Sequence, residues 1–184
     1  MQKSQKKSAK RKNYWKSQAD DTLVSSAILD QAVESILSRV KLDRSYDIPY
    51  LAGYSRNGKT IYIDRHLPKS FITSAGRKVW VDQYLILHES VEKALIDELG
   101  LIYQYAHQIA LRAEEAAVDA AKVHWREYDR FMQKYIKIAD DESLHRVPKK
   151  LDIKPYLDEH NRVLIKSMQK AMRGKSRIKS RRKK

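Results

Sequence analysis

Apolar residues recur at helical spacing across residues 84–99, where Tyr84, Leu87, Val91, Ala94, Leu95 and Leu99 share one face. Two polar residues, His88 and Glu92, fall inside that face. They are four positions apart, so their side chains stack one above the other. Upstream, Leu23, Ala27, Ile28, Val33, Ile36, Leu37 and Val40 predict a helix over residues 21–42, with Asp20 or Asp21 as its cap. The pattern then shortens to period two. Ile61 and Ile63 point one way from a strand, Tyr62 and Asp64 the other, and Asn57-Gly58 predicts a hairpin turn of type I′ before it. Residues 78–81 suggest a short strand, and Asp82 is the expected cap of the helix that carries His88.

Gly100 is the expected end of that helix. A second helix is predicted over 102–137, rich in Ala (Ala106, Ala110, Ala113, Ala116, Ala117, Ala120 and Ala121), which gives a small-residue face. The connection is short, so the two helices should be antiparallel neighbours. Residues 138–155 form a polar link with Pro148 and Pro155, and 156–172 a last helix.

Folding the chain about Gly100 puts His88 near residue 112 and Glu92 near residue 108. His107 and Glu114, two turns apart, lie on one face of the second helix. His88, Glu92, His107 and Glu114 therefore converge, with Glu115 as the substitute for Glu114 if the register slips. A buried His over a buried Glu needs a partner, because a desolvated carboxylate is costly alone. A metal ion is one such partner and a salt bridge is another. Nitrogen and oxygen donors of this kind suit a borderline metal such as Zn2+.

Composition narrows the setting. The 184 residues suffice for one domain with a core, and there is no Cys to form a disulfide, a thiolate ligand or a thiol nucleophile. No apolar run approaches the ~18 residues of a membrane span, and the basic start lacks the apolar stretch of a secretory signal. A cytoplasmic setting fits both. The net charge of +15 is concentrated at the ends: residues 1–16 hold seven Lys/Arg and residues 173–184 hold eight, with no acid in either. Residues 17–172 balance 23 basic against 23 acidic side chains. Two disordered basic tails that contact nucleic acid without sequence preference are expected, flanking a single domain over 17–172.

The run His88-Glu89-Ser90-Val91-Glu92 is H-E-x-x-E. With the hairpin before it and the helix after it, residues 48–118 resemble the zincin-like metallopeptidases, particularly small single-domain ones of bacteria and their phages. That family carries H-E-x-x-H, in which two His bind zinc and the Glu activates water as general base. The resemblance implies His88 as first ligand, Glu89 as base and Glu92 at the second ligand position, where the family has His. The third ligand comes from His107 or Glu114. It also implies a peptide or protein substrate held along a strand edge, assigned here to Tyr62-Ile63-Asp64-Arg65-His66. The expected fold is α+β, mainly helical with a small antiparallel sheet. The alternative is a non-catalytic accessory protein that keeps the scaffold and uses its tails for nucleic acid.

Overall fold

Strand β3 (Thr60–Asp64) is the layer on which the rest is built. Its β-branched Ile61 and Ile63 bury on one face, and Tyr62 buries on the other. The computed structural model describes residues 26–136, 144–158 and 161–173. Over these the chain runs α1 (Ser26–Leu37), β1 (Lys41–Tyr46), β2 (Ala52–Tyr54), β3, β4 (Ser70–Ile72) and β5 (Lys78–Trp80). It continues through α2 (Asp82–Leu99), α3 (Tyr103–Ala120), α4 (Trp125–Gln133), α5 (Lys154–Asp158) and α6 (Arg162–Arg173). The fold is α+β and mainly helical, as expected. No helix among the described residues is long and apolar enough to cross a membrane.

The main sheet has the order β1-β3-β2, with β1 parallel and β2 antiparallel to β3. The turn at Asn57-Gly58 joins β2 to β3 as expected. Its type differs, because Gly58 has positive φ and Asn57 does not. Gly58 N–H donates to Ser55 O and Ser55 N–H to Thr60 O, which makes a longer loop than a two-residue I′ turn. Since β3 is central, the stretch 62–66 does not form an edge; β2 lies at one, and its C-terminal end is bridged by Leu151 at Ser55, with Asp152 N–H donating to Tyr54 O. A second hairpin pairs β4 with β5 around Gly76.

Several boundaries depart from the sequence expectation. The first helix stops at Leu37 and the chain enters β1, where pairing with β3 overrides the helical spacing of Val40. The cap position before α2 is Val81. Asp82 lies in the first turn, where it favours the helix dipole and pairs with Arg44. The alanine-rich helix breaks at Lys122, which has a φ of 57°, so α3 and α4 are separate. The final helix is likewise two, α5 and α6. The expected tails lie outside the described residues, except that Arg173 closes α6.

Two cores flank the main sheet. One gathers α1, the Ile61/Ile63 face of β3, the β4–β5 hairpin, α2, the end of α3 and α4. The other gathers Ile48, Tyr62, Leu144, Val147, Leu151, Tyr156 and the apolar face of α6. Gly53 on β2 is needed for the second layer to close. A Cβ there would meet Leu151 Cδ1 at 3.0 Å and the Tyr156 hydroxyl at 3.4 Å.

Candidate metal centre

Gly100, with φ 65°, ends α2 in the left-handed conformation, and three residues later α3 begins. Ala106, Ala110 and Ala117 are almost wholly buried on α3, so α2 can approach closely. The most buried side of α2 is formed by Tyr84, Leu85, Ile86, His88, Glu89 and Glu92. The expected apolar stripe of Leu87, Val91, Ala94, Leu95 and Leu99 lies further out, and Leu99 is 67% exposed. Toward its C-terminal half, α2 thus turns polar residues inward.

Those residues converge with α3. His88 Nε2, Glu92 Oε2 and His107 Nδ1 form a triangle. Glu92 to His107 is 3.0 Å, His88 to His107 is 3.2 Å and His88 to Glu92 is 3.5 Å. Tetrahedral zinc with bonds of about 2.0–2.1 Å separates its ligands by roughly 3.3 Å. The three atoms have the spacing of one face of such a site.

Glu114 is brought to the same place but in another position. Its Oε2 accepts from Nδ1 of His88 at 2.8 Å, on the opposite side of the ring from the triangle. Its Oε1 accepts from the Tyr128 hydroxyl on α4 at 2.5 Å. Each carboxylate oxygen thereby has a partner, and Glu114 stands behind the His88 ring, whereas the sequence reading set it among the ligands. Glu115 is not among the clustered ligand atoms. The Nδ1–H···Glu114 bond fixes the tautomer that leaves Nε2 of His88 facing the triangle.

Charge at the site is strongly coupled to burial. Burial alone would lower the His88 pKa, but hydrogen bonds to Glu114 and Glu92 push it up to about 10. Burial raises Glu92 as well. The bonds from His107 and His88 outweigh it and hold that carboxyl below its usual range. Glu89 makes no such bond. Burial and the charge of Glu92 push it up to about 8, against the pull of His88. One of two adjacent carboxyls is therefore an anion and the other is poised near neutrality.

The triangle opens on a cavity of about 350 Å³. Leu111, Trp125, Met132 and Ile136 supply much of its apolar lining, and Tyr50 and Tyr156 stack at its other side, 5.8 Å between centroids. His107 is the most accessible of the three residues, with 35% of its side chain exposed. Edge strand β2 contributes Ala52, Gly53 and Tyr54 to the wall. The Tyr54 hydroxyl is buried and has no hydrogen-bond partner among the described residues. Burial raises its pKa, and the charges of Glu92 and Glu89 raise it further without making a bond of good geometry. It is a protonated donor whose nearest acceptor, Glu92, it meets only weakly.

Tyr54 and Tyr128 are the site residues that sequence reasoning missed. Strand alternation from Ala52 to Tyr54 was a usable sign for the first, since it sets both on one face. Nothing in the spacing signals the second, because the break at Lys122 decides where α4 returns. His66 lies apart from the triangle, beside Asp47 and Asp64. No family model, curated protein or solved structure matches this chain.

Proposed function

We propose that the protein is a zincin-type metal-dependent hydrolase that cleaves a peptide bond. Zinc would be held by Nε2 of His88, a carboxylate oxygen of Glu92 and Nδ1 of His107. The observation that carries this reading is the triangle of 3.0, 3.2 and 3.5 Å between those atoms. Ala52 and Gly53 of edge strand β2 line the cavity and support a peptide substrate, whose extended chain can lie beside them; beyond them the edge is taken by Asp152 N–H on Tyr54 O.

Zinc held there supplies Lewis acidity to an attacking water and to a carbonyl. The protein's own groups do the rest. Glu89, adjoining the cavity and poised near neutrality, takes a proton from the water and returns it to the leaving amine. Glu114, held by Tyr128, keeps the proton on Nδ1 of His88 and the ring in orientation. The Tyr54 hydroxyl donates to the carbonyl oxygen as negative charge grows on it. The apolar walls exclude water and accept an apolar side chain of the substrate.

Titration of metal-free protein with zinc tests the site. One zinc per chain is expected, with binding lost when His88 and His107 are both replaced by Ala. Well-folded wild type that takes up no zinc would refute the reading. Glu89→Gln should keep the zinc and lower peptide hydrolysis by about 10²–10⁴-fold. Undiminished turnover in that variant would remove Glu89 as the base.

A further inference from the structure

The neutrality of the folded part conceals a polarity. Residues 17–143, which hold the candidate metal centre, carry sixteen Lys/Arg against twenty Asp/Glu. Residues 144–172 carry seven against three. The positive excess is displayed on α6. Arg162, Lys166, Lys170 and Arg173 are all exposed, spaced by four, four and three positions. That spacing sets them on one face of the helix over roughly 16 Å. The opposite face, with Leu164, Ile165, Met168 and Ala171, is buried in the second core.

A second element extends the stripe. Lys149 shares a surface groove with Gln169, Met172 and Arg173 of α6. Lys150 joins it in the neighbouring groove beside Met172, and both lysines are exposed. The Arg56 guanidinium donates to the Lys149 carbonyl from the hairpin side. Ion pairs among the described residues use Arg44, Arg65, Lys93 and three histidines; none uses these six cations. Asp43, the acid in the neighbouring groove, already accepts from the Ser45 backbone and hydroxyl. Residues 174–184 follow α6 directly in the chain and add seven more Lys/Arg.

We infer that the exposed face of α6, with the Lys149-Lys150 turn, is a binding surface for the phosphodiester backbone of duplex nucleic acid. Six cations on two ordered elements match a closely and regularly charged polyanion, and duplex DNA carries one charge per roughly 1.7 Å of axis. An anionic membrane fits less well. Insertion needs an apolar face, and that of α6 is already buried, leaving Val163 as its one large exposed apolar side chain. Contacts to phosphates predict binding without sequence preference. The surface does not depend on the metal centre.

The test is fluorescence anisotropy of full-length protein with a 20-base-pair duplex of arbitrary sequence, across a range of salt. The fourfold variant R162Q/K166Q/K170Q/R173Q should lower the slope of log affinity against log salt by about 3–4. The independent pair K149Q/K150Q should lower it by just under 2, which guards against a fourfold variant that folds poorly. A chain lacking residues 174–184 should keep salt-sensitive binding, and its slope should fall by about 3–4 more when the fourfold substitution is added. Unchanged slopes in both substituted proteins would overturn the inference, with the tails then carrying all the binding. Binding to anionic vesicles with none to the duplex would overturn it too.

Discussion

The protein gathers metal-ligand side chains in two places, and the two differ in where their lone pairs go. In the first, His88, Glu92 and His107 turn their donor atoms toward one another at the rim of a cavity. In the second, His66 Nδ1 lies 3.6 Å from Asp47 and 3.4 Å from Asp64. There the oxygens are already taken. Asp47 accepts from Arg65 Nε at 2.6 Å and from the backbone N–H groups of His145 and Arg146 at 2.9 and 2.6 Å. Asp64 accepts from the N–H groups of Ile48 and His66, both at 2.8 Å. The second cluster is a clip that ties residues 145–146 to the body. Proximity of ligand types is therefore weak evidence for a metal; ligand atoms bonded mainly to one another beside a cavity, where an ion can replace those bonds, are better evidence.

The comparison can be broken by experiment. Asp47→Ala leaves Arg65 without its buried partner and two backbone donors without an acceptor, so about 3 kcal/mol or more of stability should go. Denaturant unfolding with and without a chelator measures it. The loss should be the same in both, whereas a chelator-dependent loss would make the second cluster a metal site after all.

Glu114→Gln should weaken zinc binding about 10–100-fold while preserving one zinc per chain. A complete loss of zinc would restore Glu114 to the ligand set. Zinc must also displace the proton that His88 retains in metal-free protein. Apparent affinity should therefore rise about tenfold per pH unit between 6.5 and about 10. The metal-free fold should show the opposite trend. Glu89 is held above its usual pKa of 4.5, so stability falls as pH rises from there through about 8. The His88 contribution is full below 6.5 and goes as pH passes about 10. A metal-free fold that gains stability across that window would contradict both shifts.

The smallest expected effect is at Tyr54. Removing an unpartnered buried hydroxyl should leave the metal-free fold as stable or up to about 1 kcal/mol more stable, because no bond is lost. Turnover should still fall in Tyr54→Phe. A thermal melt that drops by several degrees would mean that the hydroxyl has a structural partner.

Much of the architecture was legible because short-range signals agreed with the final packing. Gly100 marked the end of α2, the alanines marked a close helix pair, and Asn57-Gly58 marked the hairpin. The register estimated from Gly100 set Glu92 near residue 108, one position from the His107 it meets. What was not legible depended on distant partners. Residues 41–46 have no strong strand pattern and become β1 by pairing with β3. The break at Lys122 has no Gly or Pro to announce it, and it is what carries Tyr128 to Glu114. Whether a carboxylate stands at the triangle or behind it is a matter of which ring nitrogen it meets, and spacing alone does not distinguish the two.

Gly53 lets the last layer close against β2, and that layer brings Asp152, Pro155 and Tyr156 to the cavity wall. On the ribosome, His88, Glu92 and His107 emerge well before those residues do. A nascent chain can thus assemble the triangle early, yet it lacks one wall of the chamber until residues 144–173 have been made and docked.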